Sequence, residues 1–229
     1  MATPTLQMVM PFAPAVSYHP EDFIRGEANA AALDLVERWP DWPYSLVVLH
    51  GPPGSGKTHL AHVFAARTQA MFLAPERIGR VPADQLLAGH HCWVLDGLDQ
   101  VSTPQALAQL INHARARGDY LLMTASQPPA QLQVALPDLR SRLVALPEVA
   151  LGPPDDALLT GVLAKACADR QLRVPLEMLH YMVARLERRY DAAQQFVAKL
   201  DETALARGQR VNQALVRQLL QAVGGSQSP

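Results

Sequence analysis

Apolar residues are distributed along this chain in two ways. Over roughly the first two thirds, short apolar runs alternate with stretches whose apolar residues recur at helical spacing. The runs are Leu46–His50, Ala70–Ala74, Cys92–Asp96, Asp119–Thr124 and Leu143–Leu146. Each has the length of a buried parallel strand. Between them the spacing predicts a helix over 28–38, closed by Pro40, and one from His59 to Ala66 with Leu60, Val63 and Phe64 on one face. Two short helical pieces fall within 75–90, broken at Gly79 and Pro82. Thr103 and Pro104 suit the N-cap and first position of a helix that runs to Gly118 with Leu107, Leu110 and Ile111 on one face. Pro128 and Pro129 open another short one. From Pro153 the strand-like runs stop. Helices are expected over 155–170, 175–189, 191–207 and 212–222, with Asp155 and Asn212 as N-caps and Pro175 opening the second. The pattern predicts an α/β core with a parallel sheet, followed by a small all-α subdomain. It divides the chain into a Pro- and Ala-rich leader over 1–20, expected to be mostly unstructured, a core over 21–152, a helical part over 153–223 and a tail over 224–229.

The first run leads into Gly51-Pro52-Pro53-Gly54-Ser55-Gly56-Lys57-Thr58, which fits G-x-x-x-x-G-K-[ST] at every fixed position. Strand, glycine loop, helix is the arrangement in which backbone N–H groups and a helix N-terminus surround phosphates. Lys57 is placed to reach the β- and γ-phosphates, and the Thr58 hydroxyl to ligate Mg²⁺. A glycine-rich turn that binds nothing is the bland alternative, and the correct flanks on both sides argue against it. The third run ends in Asp96, a Walker B pattern whose carboxylate would face the same magnesium. His90-His91 and the pair His59 and His62 invite a metal-site reading, but no cysteine or acidic cluster accompanies them, so they read as solvated or packed histidines.

Composition narrows the class. The chain has 229 residues, 49% of them hydrophobic and 18% charged, which supports a sizeable core. Twenty Lys and Arg against 21 Asp and Glu leave it nearly neutral, unlike a domain that grips nucleic acid by itself. Cys92 and Cys167 read as buried free thiols. No apolar run approaches a membrane span, and no basic segment leads into an apolar one at the N-terminus, so a soluble cytoplasmic protein is expected. Within the leader, Gln7-Met8-Val9-Met10-Pro11-Phe12 is either a strand that docks on the core or a short linear motif for a partner.

From about residue 5 to 222 these residues resemble the AAA+ ATPases, and within them the DnaA initiator group. Phe23-Ile24-Arg25-Gly26 with Asn29 is similar to the segment that packs beside adenine in that group. Gly51 to Leu60 matches its P-loop and helix start, and Thr124-Ala125-Ser126-Gln127-Pro128-Pro129 its sensor 1 segment. Leu136-Pro137-Asp138-Leu139-Arg140-Ser141-Arg142-Leu143 resembles box VII, whose arginine acts as a finger on the neighbouring subunit's nucleotide; by position that residue is Arg142. The resemblance implies a P-loop AAA+ core with a parallel sheet and an all-α lid. It implies ADP or ATP with Mg²⁺ held through Thr58 and Asp96. The nucleotide contacts it implies come from Phe23, Ile24, Gly51, Pro52, Pro53, Gly54, Ser55, Gly56, Lys57, Thr58, His59, Asp96 and Thr124.

Within the group the chain is most similar to the short regulatory inactivators, the Hda type. No helix-turn-helix DNA-binding domain is expected after the lid, and Leu136 to Leu143 resembles their version of box VII more than the initiator's own. Gln7, Met8, Val9, Met10, Pro11 and Phe12 look like the hexapeptide by which they hold the DNA polymerase III sliding clamp, the beta subunit. The implied function is negative regulation of replication initiation, by stimulating ATP hydrolysis in DnaA through Arg142 in trans. The implied partners are the clamp, DnaA and a possible homodimer, with no sequence-specific DNA binding and no membrane. Two positions depart from the group. Gly97 stands where a hydrolysing protein has a second acid, with Asp99 further on, and Asp191 falls at the sensor 2 arginine, with Arg188 and Arg189 nearby. The protein's own ATPase activity is therefore expected to be weak or absent. The rivals are a self-sufficient AAA+ ATPase such as a helicase loader and a P-loop kinase of small metabolites.

Overall fold

A computed structural model describes residues 18–224. Gln7, Met8, Val9, Met10, Pro11 and Phe12 lie outside the described residues. The strands are β1 (Leu46–His50), β2 (Met71–Phe72), β3 (Cys92–Leu95), β4 (Tyr120–Ala125) and β5 (Glu148–Ala150). They form one parallel sheet in the order β2-β3-β4-β1-β5. Central β1 is flanked by β4, with Leu46 opposite Leu121 and His50 opposite Ala125, and by β5, with Val48 opposite Glu148.

The strands are apolar throughout because both faces of the sheet are covered. Leu46 and Val48 point into one buried cluster with Leu95, Leu121 and Met123, over which α4 (Pro104–Arg117) and α5 (Pro137–Val144) bring Leu110, Ile111, Leu139 and Leu143. Val47 and Leu49 point the other way, joining Val94 and Leu122 under α1 (Ala30–Glu37) and α2 (Lys57–Thr68). α3 (Ala83–Leu86) is a single short turn beside α4. The chain then leaves the sheet. α6 (Asp156–Asp169), α7 (Leu176–Val183), α8 (Tyr190–Ala206) and α9 (Gln213–Gly224) bury a cluster of their own that includes Leu163, Met182, Val197, Leu200 and Val216. Two of the expected caps are made in the side chains: Asp155 accepts from Leu158 N–H at 2.7 Å, and Asn212 from Leu215 N–H at 2.9 Å. Thr103 makes no such bond, and Pro104 alone sets that start.

Several sequence expectations are corrected. Leu143–Leu146 is not a strand; Leu143 and Val144 close α5, with Leu143 fully buried. The fifth strand lies further on, at Glu148–Ala150, on the outside of β1. The second strand shrinks to Met71–Phe72, both well exposed at the other edge. The helix expected over 175–189 ends at Val183, and the piece at Pro128 is a 3₁₀ turn, Pro129–Gln131. Among the described residues no helix is long and apolar enough to cross a membrane. Cys92 and Cys167 are free thiols, and burial pushes the Cys167 thiol up to about 11.

Candidate functional site

The Gly51–Thr58 loop emerges from the C-terminal end of β1 and runs straight into α2, whose first residue is Lys57. Its shape depends on glycine. Gly54 and Gly56 sit at φ of 71° and 94°, where side-chain-bearing residues are strained. Gly51 is buried so closely that an added Cβ would meet the Leu151 carbonyl at 2.3 Å. Ser55 is buried within the loop, while Pro52 and Pro53 form its exposed shoulder. The Lys57 ammonium lies across this curve, donating to the Gly51 carbonyl at 2.7 Å and the Pro52 carbonyl at 2.9 Å. Burial lowers its pKa, and the carboxylates of Asp96 and Asp99 pull the other way. The site therefore presents a partly desolvated cation beside the loop amides.

Asp96 follows β3 directly and joins two elements. Thr58 Oγ1 donates to Asp96 Oδ2 at 2.9 Å, and Thr124 Oγ1, from the end of β4, donates to Oδ1 at 2.5 Å. Thr124 is buried and accepts in turn from Gly97 N–H at 2.8 Å. Thr58 and Asp96 thus bring hard oxygen donors together at the mouth of the loop, which fits Mg²⁺ bound with phosphates. Among the described residues no cluster of His, Cys, Asp and Glu forms a dedicated metal cage. His59 and His62 are aromatic packing partners: Tyr18 stacks on His62 with centroids 4.2 Å apart, and Phe23 meets His59 edge-on at 5.2 Å.

Gly97 is built to be glycine. Its φ is 90°, and a Cβ there would lie 2.7 Å from the Gln100 side chain, so the backbone after Asp96 does not offer a place for an acid. Asp99 does not substitute by contact, since its carboxylate is taken by the Ser126 hydroxyl at 2.5 Å. That pair lines a cavity of about 290 Å³ between α4, α5 and the 126–134 loop.

The segment expected beside adenine is organised by Asn29, which is almost fully buried. Its Oδ1 accepts from Gly26 N–H, and its Nδ2 donates to the Ile24 carbonyl, both at 2.9 Å. Nδ2 also reaches the Tyr190 hydroxyl at 3.3 Å. Phe23 and Tyr190 both approach Gly56, and Ile24 packs against the helical cluster. Tyr190 was missed from the sequence. It opens α8, its N–H donates to the Gly54 carbonyl at 3.0 Å, and burial pushes its phenol up to about 12. Of the two arginines near position 191, Arg188 pairs with Asp156 at 2.9 Å, while Arg189 pairs with Asp191 against the loop. No local pattern marks the contacts of Tyr190 with Asn29 and Gly54 or of Arg188 with Asp156, because they join residues far apart in the chain.

Arg142 belongs elsewhere. It lies within α5. Its Nε donates to Asp138 Oδ2 at 2.8 Å and its Nη1 to Asn112 Oδ1 at 2.6 Å, on a partly exposed face. Arg140, on the same helix, is exposed.

Sheet order, phosphate loop, Asp96 at a strand end and a helical C-terminal part define a P-loop protein of AAA+ fold. In particular, the fold is that of DnaA domain III. Domain III of the Thermotoga maritima replication initiation protein DnaA superposes with a TM-score of 0.76 at 18% identity, covering 90% of this chain and 96% of that one. AMPPCP-bound DnaA from Aquifex aeolicus gives 0.70 at 16% identity over 82% of this chain and 65% of its own. The Thermotoga maritima RuvB Holliday junction branch migration motor gives 0.68 at 17%, over 90% and 72%. In sequence, the chain is 29% identical over 172 residues to the chromosomal replication initiator protein DnaA of Caulobacter vibrioides, 63% of this chain. It is 31% identical over 159 residues to the nuclear valosin-containing protein-like protein of Mus musculus, 56% of this chain and 18% of that protein. The chain spans about a third, 35%, of the length of the curated initiator it matches. No family model matches it.

Proposed function

We propose that this protein is an adenine-nucleotide-binding regulator of replication initiation of the Hda type. It binds ADP or ATP, holds the DNA polymerase III sliding clamp through Gln7–Phe12, and completes the ATP site of DnaA with Arg142. The observation that carries the reading is the pairing of a whole phosphate loop with a defective hydrolytic position. Lys57, Thr58, Asp96 and Thr124 converge as binding requires. The next residue, Gly97, has no carboxylate and a backbone that disfavours one. Binding machinery without the group that polarises water suits a nucleotide that organises the protein rather than one that is turned over. Phe23 and Ile24 would flank the base, and His59 would back it from α2. Thr58 and Asp96 would hold Mg²⁺, which supplies charge neutralisation to the phosphates when bound.

The likeness to DnaA supports the choice of partner, and the place of Arg142 supports its role. Its guanidinium lies at the surface in a bond to Asp138 four residues away on an exposed helix face, a contact easily exchanged for a phosphate. A planar guanidinium can contact two phosphoryl oxygens at once. The test is hydrolysis by DnaA–ATP in the presence of clamp loaded on DNA and this protein. Arg142→Ala is expected to leave nucleotide and clamp binding intact and to reduce stimulated hydrolysis by roughly 10³-fold or more, the range of arginine fingers. Arg140→Ala is the internal control and should stay active. Full activity of Arg142→Ala would falsify the trans mechanism. Rapid ATP turnover by the protein alone, lost on Asp96→Asn, would favour the self-sufficient ATPase instead.

A further inference from the structure

The sheet ends on two strands, and they are guarded differently. β5 opens on the charged Glu148, 3.9 Å from His50 Nε2, and α1 packs beside it. β2 carries no charge. Met71 and Phe72 are 47% and 40% exposed, and among the described residues β2 pairs with β3 alone. An apolar strand edge of this kind is a template for one more strand, and natural sheets usually protect it. The chain itself arrives at this edge. Tyr18, the first described residue, stacks on His62 with ring planes 7° apart and centroids at 4.2 Å. His62 in turn meets the Phe72 ring at 4.6 Å. From Phe12 to Tyr18 the chain can reach about 20 Å when extended, well beyond the two ring contacts that separate Tyr18 from Phe72.

We propose that the open edge of β2 is a docking site for the leader's own Gln7–Phe12, so that the core competes with the sliding clamp for this segment. The competition rests on reading Gln7–Phe12 as the clamp-holding segment. Its sequence suits the edge. Met8, Met10 and Phe12 alternate with Gln7, Val9 and Pro11, which in a strand puts the three large apolar side chains on one face. When the backbone groups of Met8, Met10 and Phe12 turn toward β2, Pro11 carries its missing N–H to the outer side, where a sheet tolerates it. Phe72, His62 and Tyr18 give those side chains an aromatic surface to cover. The short tether holds the segment at an effective concentration in the millimolar range, so a weak contact suffices. β2 offers only two residues of backbone pairing, which leaves the contact weak enough for a partner to displace. The clamp then meets a leader that is free for part of the time, and its apparent affinity falls by that fraction.

The experiment combines amide hydrogen exchange with calorimetric titration of purified clamp. It uses the full-length protein as wild type, Phe72→Lys and Met71→Lys. Both side chains are exposed, so a lysine charges the edge without emptying the core. In the free wild type the amides of residues 7–12 and 71–72 should be protected together, and adding clamp should expose 71–72. Either lysine variant should lose protection in the leader and bind clamp about fivefold more tightly, as expected for a segment docked most of the time. Unprotected leader amides in the wild type overturn the proposal, and that result stands even where a variant fails to fold. Unchanged clamp affinity in both folded variants overturns the competition. Weaker clamp binding by both overturns it as well, since β2 would then be a surface for the clamp itself. Leader protection that rises with protein concentration assigns the edge to the leader of a second copy and overturns the contact within one chain. If the wild type does not bind clamp while the leader and β2 still protect each other, the clamp reading fails and the docking site stands.

Discussion

His59 shows how a residue next to a binding motif is shaped by what covers it. It follows Thr58 on the first turn of α2, under Phe23 and Tyr18, and its Nε2 meets the His19 carbonyl at 2.9 Å. Burial lowers its pKa more than the His19 carbonyl and Asp22 raise it. With the folded value below the unfolded one, the unfolded chain takes up a proton first as the pH falls. The contribution of His59 to stability is thus complete above the ordinary histidine range and is lost progressively as pH drops through about 6.5 toward the lower folded value. Thermal melts from about pH 7.5 to about pH 5.5 should show a shallower decline for His59→Gln than for the wild type. Equal slopes would mean that His59 is not the group that is titrating.

Among the elements, the two kinds of helix start behave differently, and the difference can be measured. Asp155 caps α6 with a real side-chain bond, whereas Thr103 stands before α4 without one and Pro104 sets the backbone there. Asp155→Ala should therefore cost about 1 kcal/mol, seen as a fall of about 2–4 °C in melting temperature. Thr103→Ala should change the melting temperature much less. A reversed ranking would show that the α6 cap is dispensable. The sheet makes the complementary point about legibility. β1, β3 and β4 are buried on both faces and stand out as unbroken apolar runs. β5 has one strand neighbour and alternates exposed and half-buried residues, so Glu148-Val149-Ala150 carries no apolar run to find. The nearby run from Leu143 belongs to a helix that buries Leu139 and Leu143 against the sheet. An apolar run of that length is shared by strands and buried helix turns, and only the packing partner separates them.

At the scale of the molecule, Asn29 ties the core to the lid. One buried side chain fixes the turn at Gly26, the Ile24 carbonyl and the Tyr190 hydroxyl, and a salt bridge from Lys165 of α6 to Asp22 at 2.9 Å spans the same junction. Asn29→Ala would strand Gly26 N–H and the Ile24 carbonyl without partners. It should destabilise by roughly 2–3 kcal/mol and speed proteolysis near residues 20–30, with weakened nucleotide binding. A variant with unchanged melting temperature and unchanged nucleotide affinity would show that the junction is held by apolar packing alone, through Ile24 and Leu158.

The amino-acid sequence determined by itself the phosphate loop, the strand–loop–helix around it, the acid closing the third run and the change from alternating to all-helical structure after Pro153. All of these are local: a motif of contiguous residues, or a periodicity over one element. Tertiary structure alone decided where the edge strands lie, that Arg142 on α5 meets Asn112 of α4, and that Asp191 rests on Gly54 while Tyr190 bonds Asn29, 161 residues away. Such contacts are single polar or steric meetings between distant segments. They leave no repeat in the sequence, because nothing in the neighbours of either residue has to change for the contact to form.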